Sequence, residues 1–428
     1  SGMLSEDGEC YAFDSRANGL VPGEAVAVVV LKRLSKAEAD GDAIYGVVRG
    51  SGVNYDGRTN GITAPSGLSQ KMLIDQVYDN CRINAEEIGY VITHGTGTKL
   101  GDPVEVNSLI EAFNARTSRR SFCALGSTKP NIGHTFAASG MVSLIAMLMA
   151  IKYDRIPSAV NYERQNEFIN LADSAFYINR EARSWNREGR AKRLGAISSF
   201  GMSGTNAHQL IEEYLPAGSG EAASPWVEHS NGASGIVVLS ARKAGQLKLC
   251  AGNLLKFLAK ARLESQRTGK ALPDLARIAY TLQMGREAMK HRIAFRVRNL
   301  EELEDRLREY LEGNADLRSS DQGDPERGVE PNPDLRKNIE KNDATSVDNR
   351  GGYDLAEMWV RGQDVDWDRL YPEGKPKKIN LPTYPFIKDK YPPAEKRPSK
   401  KALATNGSGG GSGAVQILHP MVHEKLSV

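Results

Sequence analysis

The first 214 residues alternate between short apolar runs and amphipathic stretches, most of them closed by glycine or proline. β-branched runs bounded by turn residues occur in EAVAVVVLKRL (24–34) and YGVVRGSGVNY (45–55), and both are predicted to form buried strands. The pattern of SGLSQKMLIDQVYDNCRI (66–83) predicts a capped helix with its apolar residues on one face. This alternation of strands and helices predicts a layered α/β fold with buried sheets.

The next elements surround two histidines. IGYVITHG predicts a strand that enters a glycine loop, and Asp102 followed by Pro103 predicts a helix start with an N-cap and a proline at the first position. SFCALGSTK and RLGAISSFG predict two further strands, and GTNAHQLIEEY predicts a loop entering another. Between them, a helix is predicted over 136–153. Its apolar run is shorter than the roughly 20 residues of a membrane-spanning helix, which favours a buried core helix.

The second half of the chain predicts a separate, smaller unit. GIVVLSA and HRIAFRVRN predict strands, and helices are predicted over about 243–264, over about 274–282 and in the amphipathic LEELEDRLREYLEG. The predicted boundaries are 1–214 for the first domain, 215–234 for a linker, 235–320 for a small α/β domain, 321–351 for a mobile loop, 352–393 for a proline-anchored strap, 394–414 for a flexible Gly/Ser tether and 415–428 for the start of a further domain.

Composition narrows the function classes. With 40% apolar and 25% charged residues, the chain of 428 residues has the composition of globular proteins, and its net charge of +3 is too small to favour nucleic acid or a membrane as partner. Its four cysteines have no CxxC spacing, which fits a reducing cytosol. The N-terminus has no basic and apolar leader, so no signal peptide is predicted and the expected location is cytoplasmic.

Three segments combine residues that can carry chemistry. They are THGTGTKLGDPVE with His94, STKPNIGH with Lys129 and His134, and SSFGMSGTNAH, whose small residues expose backbone N–H groups that can bind an oxyanion. Each also has a structural interpretation, as a common strand–glycine–helix junction, a structural histidine or a tight turn. A histidine at a buried helix N-terminus is held neutral by the helix dipole and by burial, which favours His134 as a neutral hydrogen-bond donor.

Together, these segments resemble the ketosynthases of modular polyketide synthases, within the thiolase superfamily. The resemblance covers 1–214 and rests on FDSRANGLVPGEAVAVVVLKRL, NYDGRTNGITAPSG, HGTGTKLGDPVE, STKPNIGHTFAASG and FGMSGTNAH. It implies the C-terminal half of a thiolase-like layered αβαβα fold. Residues 235–320 resemble the small α/β post-ketosynthase linker domain, and LPTYPFIKDKYPP resembles the strap that returns to the ketosynthase surface. The whole is most similar to assembly lines whose acyltransferase acts in trans.

The C-terminal ILHPMVHE resembles the opening of a dehydratase domain. His419 and His423 have the i, i+4 spacing of a metal-binding pair, but Pro420 and the resemblance disfavour that interpretation, and no metal is expected.

The resemblance implies decarboxylative Claisen condensation of acyl and malonyl thioesters held by an acyl carrier protein. It implies that two neutral imidazoles donate hydrogen bonds to the enolate oxygen and that a lysine disfavours imidazolium. The implied catalytic residues are His94, His134 and Lys129. The implied substrate-binding residues are Thr96 and Thr98 for the phosphopantetheine arm, Met202 for an oxyanion-hole amide, and Phe200 and Gly201 within the Phe200–Gly204 gate loop.

No cofactor bound by the ketosynthase itself is expected. The implied partners are acyl carrier protein, the cysteine-bearing N-terminal half, a second copy in a homodimer and a downstream dehydratase domain, with no nucleic acid and no membrane. None of Cys10, Cys81, Cys123 and Cys250 lies in a TACSS-like elbow, so the chain is expected to lack the nucleophile. A fragment, a naturally split module and a non-condensing remnant all explain this. Two other functions stay open: acyl transfer alone, and a structural or docking segment.

Overall fold

The computed structural model describes residues 3–61, 64–187, 189–216, 235–269, 271–313, 355–371 and 374–387. The elements given below all lie within the unit Ser1–Tyr384. Most of the predicted linker at 215–234 and all of the predicted loop at 321–351, tether at 394–414 and terminal segment at 415–428 lie outside the described residues.

The N-terminal region builds one large sheet with helices on its faces. Its strands are β1 (Val47–Tyr55), β2 (Ile88–Ile92), β3 (Cys123–Gly126), β4 (Arg155–Ile156), β5 (Phe176–Ile178), β6 (Arg183–Ser184), β7 (Leu194–Phe200) and β8 (Thr205–Glu212). Its helices are α1 (Leu34–Ala39), α2 (Gly67–Cys81), α3 (Gly101–Asn114), α4 (Lys129–Ile132) and α5 (Ser139–Lys152), with 3-10 turns at Ala85–Glu87 and Phe136–Ala138.

The large sheet is mixed and has the strand order β1-β8-β7-β2-β3-β5. The first three strands pair antiparallel, with β7 and β8 joined by the short loop 201–204, whereas β7, β2, β3 and β5 run parallel. The short strands β4 and β6 pair separately. The predicted layered α/β architecture is confirmed.

Successive residues of the central strands face opposite sides of the sheet, because side chains alternate along a strand. Val91 packs into the core shared with α2 and α3, whereas Ile92 packs into the core shared with α5. Ala196 and Leu210 likewise pack into the first of these cores, and Ile197 and Ile211 pack into the second. The parallel and antiparallel parts of the sheet are therefore both covered by helices.

The predicted helix at 66–83 is confirmed: the Ser66 hydroxyl accepts a hydrogen bond from the Ser69 amide at the start of α2. Two other predicted helix starts are wrong. Helix α3 begins at Gly101 with Leu100 in the capping position, because the Asp102 carboxylate is directed to other amides. Helix α5 begins at Ser139, after the 3-10 turn Phe136–Ala138. Among the described helices, none has both the length and the apolar character to cross a bilayer.

The predicted buried strand at 24–34 is wrong. The segment joins no strand ladder, and Val26, Val28 and Val30 are 98%, 83% and 91% exposed. A strand needs a neighbour to satisfy its backbone groups, and nothing within the described residues pairs with this one. Strand β1 is formed as predicted, but it lies at the sheet edge and is only half buried.

The second region is a small α/β domain, as predicted. Strands β9 (Gly235–Ala241) and β10 (His291–Val297) pair antiparallel, and they pack against α6 (Ala244–Thr268), α7 (Leu275–Met284), α8 (Leu300–Glu312) and α9 (Leu355–Val360). A 3-10 turn follows at Trp367–Leu370. Residues after this turn reach the N-terminal region: the Lys378 amide donates to the Gly41 carbonyl at 3.0 Å, and its ammonium pairs with Asp42 at 2.8 Å.

Candidate active site

Three parallel strands end at the same edge of the large sheet, and the predicted site residues follow them there. His94 comes two residues after β2, Lys129 comes three residues after β3, and Phe200 is the last residue of β7. Because the carboxyl ends of neighbouring parallel strands meet at one edge, residues distant in sequence are brought together. His134 joins them from the loop after α4.

The backbone around His94 is fixed by a buried carboxylate. Glu105 on α3 accepts the His94 amide at 2.7 Å and the Gly95 amide at 2.9 Å, one with each oxygen. Gly95 has a φ of 42°, and a Cβ there would lie 2.6 Å from the Thr93 hydroxyl. Only glycine therefore allows the chain to turn this tightly after β2.

His134 is held by a parallel bridge to residues 21–23. Its amide donates to the Val21 carbonyl at 2.6 Å, and its carbonyl accepts from the Gly23 amide at 2.9 Å. The sequence predicts this histidine at the N-terminus of the apolar helix, but the 3-10 turn Phe136–Ala138 separates it from α5. The first amide of that turn, from Phe136, donates to His134 Nδ1 at 3.0 Å.

Both imidazoles have the same tautomer. The Phe200 amide donates to His94 Nδ1 at 3.3 Å, just as the Phe136 amide donates to His134 Nδ1. A backbone N–H can only donate, so Nδ1 is the acceptor and each neutral ring carries its proton on Nε2. The two rings meet edge to face, with centroids 5.3 Å apart. The site therefore presents two neighbouring neutral donors.

Lys129 supplies a buried positive charge between these groups. Its side chain is 2% exposed, and its ammonium donates to the His94 carbonyl. Burial lowers the pKa of Lys129 to about 8, while the carboxylates of Glu105 and Asp102 oppose this change.

The pKa values of both histidines are low for the same two leading reasons. Burial and then the Lys129 charge hold the pKa of His94 well below its ordinary value, and His134 adds to the effect. Burial and then Lys129 lower the pKa of His134 to about 4. Both rings are therefore neutral at neutral pH.

Two buried carboxylates of the site were missed by sequence reasoning. Asp102 accepts the Phe13 amide at 2.9 Å and the Gly97 amide at 3.1 Å, and burial raises its pKa to about 6. Burial likewise raises the pKa of Glu105 to about 7. The sequence did carry a signal for them, because the two acidic residues lie three positions apart on the otherwise apolar face of α3. A carboxylate on a buried helix face needs hydrogen-bond donors around it.

The structure also brings together the two predicted threonines. The hydroxyls of Thr96 and Thr98 lie 3.1 Å apart, and both residues are half buried. Gly97 between them has a φ of 74°, and a Cβ there would lie 3.0 Å from Cys10 Sγ. The glycine turn thus places both hydroxyls on one side of the loop.

The Phe200–Gly204 loop closes over the His94 side of the site. The Gly201 amide donates to the Thr205 carbonyl at 2.7 Å, and the Gly204 amide donates to the Gly201 carbonyl at 2.9 Å. The Phe200 and His94 rings have centroids 5.7 Å apart, and Met202 at the loop tip is 65% exposed. The loop is a tight turn with an exposed tip.

Cys10 lies close to the site but is not activated. Its Sγ lies 3.5 Å from the Thr96 carbonyl, and burial raises its pKa to about 12. Burial raises the pKa of Cys123 and Cys250 as well. A thiol reacts as its thiolate, so these surroundings oppose a nucleophilic role for the three residues. In the part of the chain that the structure describes, no three His, Cys, Asp or Glu side chains are grouped to hold a metal ion.

Family models match much of the N-terminal region and most of the small domain. Residues 1–37 match the beta-ketoacyl synthase N-terminal domain, residues 45–163 match the beta-ketoacyl synthase C-terminal domain, and residues 238–314 match the RhiE-like, KS-MAT linker domain.

Curated relatives are far longer than this chain. Polyketide synthase PksM of Bacillus subtilis is 42% identical over 395 residues, which are 91% of this chain and 9% of the relative. Polyketide synthase ThaG of Burkholderia thailandensis is 47% identical over 308 residues, which are 72% of this chain and 5% of the relative. The chain thus spans less than a tenth of the length of either relative.

A solved structure is similar over most of this chain. It is a cysteine-to-serine mutant of the ketosynthase from module 6 of the bacillaene synthase of Bacillus subtilis, at 39% identity and a TM-score of 0.75. The match covers 91% of this chain and 65% of that one. The chain therefore belongs to the beta-ketoacyl synthase family, and it carries the C-terminal region of a modular polyketide synthase ketosynthase followed by its linker domain.

Proposed function

We propose that the chain supplies the decarboxylation half of a ketosynthase active site. The reaction is decarboxylative Claisen condensation: a malonyl thioester loses CO2, and the resulting enolate carbon attacks an acyl group held on a cysteine. The new carbon–carbon bond forms as the bond between the acyl carbon and the cysteine sulfur breaks and the thiolate leaves. In the proposed complete enzyme, both substrates are carried by acyl carrier protein.

The observation that carries this proposal is the matched pair of neutral imidazoles. Loss of CO2 leaves negative charge on the thioester oxygen, and this charge is stabilised by hydrogen-bond donors that are already in place. His94 and His134 both keep their proton on Nε2, and their rings lie 5.3 Å apart between centroids. Two fixed donors around one oxygen would lower the decarboxylation barrier without a proton being transferred.

Lys129 is proposed to keep this pair neutral. Its buried ammonium lowers the pKa of both histidines. Protonation at Nδ1 would place an N–H group of the ring against the backbone N–H of Phe200 or Phe136, so that two donors would face each other. These two amides therefore oppose protonation of the histidines, as the Lys129 charge does.

The other residues are proposed to bind the substrate arm. The adjacent hydroxyls of Thr96 and Thr98 suit the amide groups of phosphopantetheine, which need hydrogen-bond partners. The Met202 amide is proposed as an oxyanion-hole donor to the acyl-cysteine. Phe200 and Gly201 belong to the same gate loop, whose exposed tip fits a role in admitting the acyl chain.

The nucleophilic cysteine is proposed to come from another part of the complete ketosynthase. The buried thiols with raised pKa values near and away from the site support this, because they are poor nucleophiles. The proposed partners also include a second ketosynthase copy, an acyltransferase acting in trans and a downstream dehydratase domain. The contacts of Lys378 with Gly41 and Asp42 support a strap that returns from the small domain to the ketosynthase surface.

The test separates acyl loading from decarboxylation. The chain is combined with its cysteine-bearing part and supplied with acyl-loaded and malonyl-loaded carrier protein, and CO2 release is measured beside acyl transfer to the cysteine. We expect both reactions in the wild type and loading alone in His94→Ala. Loading without CO2 release in the wild type would instead support a ketosynthase that only transfers acyl chains. An unchanged condensation rate in His94→Ala would remove the role given to that residue.

A further inference from the structure

Phe136, two residues after His134, has a backbone conformation that its residue type disfavours. Its φ is 49°, in the left-handed region that a bulky side chain seldom adopts. Its side chain is 57% exposed and is not part of the three apolar cores. Neither local preference nor burial in those cores accounts for a phenylalanine here, and strained residues of this kind concentrate at functional sites.

The contacts of Phe136 converge on one imidazole. Its ring stacks on the His134 ring, with centroids 5.0 Å apart and planes 19° from parallel. Its amide donates to Nδ1 of the same ring at 3.0 Å. Phe136 is the first residue of the 3-10 turn Phe136–Ala138, and in its left-handed conformation it makes both contacts with His134.

We propose that Phe136 is a positioning residue for His134, with its amide fixing the tautomer and its ring covering one imidazole face so that the donor stays oriented and shielded from water. This inference goes one step beyond the proposed function and rests on it only for the effect on catalysis. The contacts themselves are independent of the reaction.

The pKa of His134 depends on the other groups around its ring as well as on Phe136. Among the described residues, Lys129 on α4 and His94 after β2 are the titratable groups that face it, and residues 21–23 contribute a carbonyl and an amide. The face of an aromatic ring attracts a cation, so stacking alone would favour imidazolium. Burial is nevertheless the leading cause of the low pKa of His134, so the exclusion of water dominates.

The test replaces the ring without adding backbone strain. Phe136→Gly removes the ring at a φ that glycine adopts readily, and Phe136→Tyr retains an aromatic face. Arg82→Gly is the matched control, because Arg82 is an exposed non-glycine residue with a φ of 52° at the end of α2. Each full chain is labelled at histidine, and the His134 signals, assigned with His134→Gln, are followed by NMR as the pH is lowered.

We expect Phe136→Gly to raise the pKa of His134 from about 4 towards its ordinary value by about one pH unit or more, because water gains access to the ring. Phe136→Tyr and Arg82→Gly should leave it unchanged. A titration of His134 in Phe136→Gly that matches the wild type would overturn the inference.

Activity then separates the inference from the proposed function. In the complete ketosynthase, Phe136→Gly should lower kcat for CO2 release about tenfold, by analogy with a weakened oxyanion donor, with little change in KM. A raised pKa with an unchanged rate of CO2 release would support the shielding of the His134 ring and overturn the claim that Phe136 orients it for catalysis, while leaving the proposed function of His134 standing. A lowered rate with an unchanged titration would overturn the positioning role.

Discussion

The imidazole rings of His94 and His134 meet edge to face across 5.3 Å, and each is held by a backbone amide at Nδ1. The amides come from Phe200, at the end of β7, and from Phe136, in the turn before α5. Two unrelated segments thus impose the same tautomer on two histidines that are 40 positions apart. In the proposed function, this relationship makes the two rings a pair of donors rather than a donor and a base.

The first prediction concerns the tautomers themselves. Between pH 6 and 8, both His94 and His134 should be neutral with the proton on Nε2, because a backbone N–H occupies Nδ1 in each ring. Nitrogen-15 NMR of the histidine-labelled chain distinguishes the two ring nitrogens, with His94→Gln and His134→Gln used for assignment. A protonated Nδ1 on either ring in this range would contradict the hydrogen-bond assignment.

The second prediction concerns Lys129→Met, which removes the charge while nearly preserving the side-chain volume. The Lys129 charge lowers the pKa of both histidines, so its loss should raise both, with His134 moving up from about 4. The acid limb of CO2 release should move to higher pH in the same direction. Histidine NMR titrations check the first effect, and a pH–rate profile of the complete enzyme checks the second.

Lys152→Met is the matched control, since Lys152 is an exposed lysine at the end of α5. It should leave both titrations unchanged. Phe136→Gly gives a second contrast. Loss of the Phe136 ring should raise the pKa of His134 more than that of His94, whereas loss of the Lys129 charge should raise both. Equal titrations in Lys129→Met and the wild type would show that burial alone keeps the histidines neutral.

The same pKa values set the sign of the pH dependence of stability. The folded-state pKa of His134 is lowered, so the unfolded chain binds a proton first as the pH falls. The contribution of His134 to folding is therefore fully present above its ordinary pKa of 6.5 and is lost as the pH falls towards about 4. Asp102 and Glu105 have raised pKa values and give the opposite trend over the same range, so the contribution of His134 is measured as a difference. In chemical denaturation at pH 7, 6 and 5, the free energy of unfolding of the wild type minus that of Phe136→Gly should decrease as the pH falls.

The fourth prediction concerns Glu105→Gln. Each Glu105 oxygen accepts one backbone amide, whereas glutamine would direct an N–H₂ group at one of them. We expect the free energy of unfolding to fall by about 1–3 kcal/mol, because a buried amide loses its acceptor. The Glu105 charge also raises the pKa of Lys129, so that pKa should fall below about 8.

Chemical denaturation measures the change in stability, and Glu111→Gln is its control. Glu111 lies on the same helix and is exposed, so its substitution should alter stability by less than about 0.5 kcal/mol. Equal stabilities of the two variants would contradict the anchoring role of Glu105.

Much of this architecture follows from local patterns in the sequence. The Ser66 cap forms where the sequence predicts it because its partner, Ser69, lies three residues away. The strand before His94 and the strand ending at Phe200 also form where their apolar runs predict them, and each finds a distant parallel strand to pair with. The three segments with the site residues were grouped by the family resemblance, which also supplied the expected roles. The structure adds the physical reason for the grouping, which is that the parallel strands end at one edge of the sheet.

The features that escaped prediction depend on distant partners. Asp102 looks like an N-cap in sequence, but it accepts the amide of Phe13, which lies 89 positions away. Phe136 looks like the start of an apolar helix, but its contacts with His134 require a left-handed turn. The β-branched run 24–34 has strong strand propensity, yet propensity supplies no neighbour to pair with.

That exposed run leads to the last prediction. Val26, Val28 and Val30 lie on one side of an extended segment and are almost fully exposed, whereas Val29 packs against the core that contains α5. Exposed, unpaired strands of this kind promote association between chains. Replacing the three exposed valines by threonine should therefore reduce light scattering and binding of a hydrophobic dye by the full chain.

The substitution Val29→Thr separates association from stability. Because Val29 is partly buried, its replacement by a polar residue should lower the free energy of unfolding by about 1–2 kcal/mol, whereas the triple variant should retain wild-type stability. Urea denaturation and light scattering of the two variants measure these effects separately. If the triple variant scattered as much light as the wild type, another surface would be responsible for association. If the triple variant had the same reduced stability as Val29→Thr, the three valines would have to be buried in solution. The segment would then pack against another surface instead of being extended and exposed.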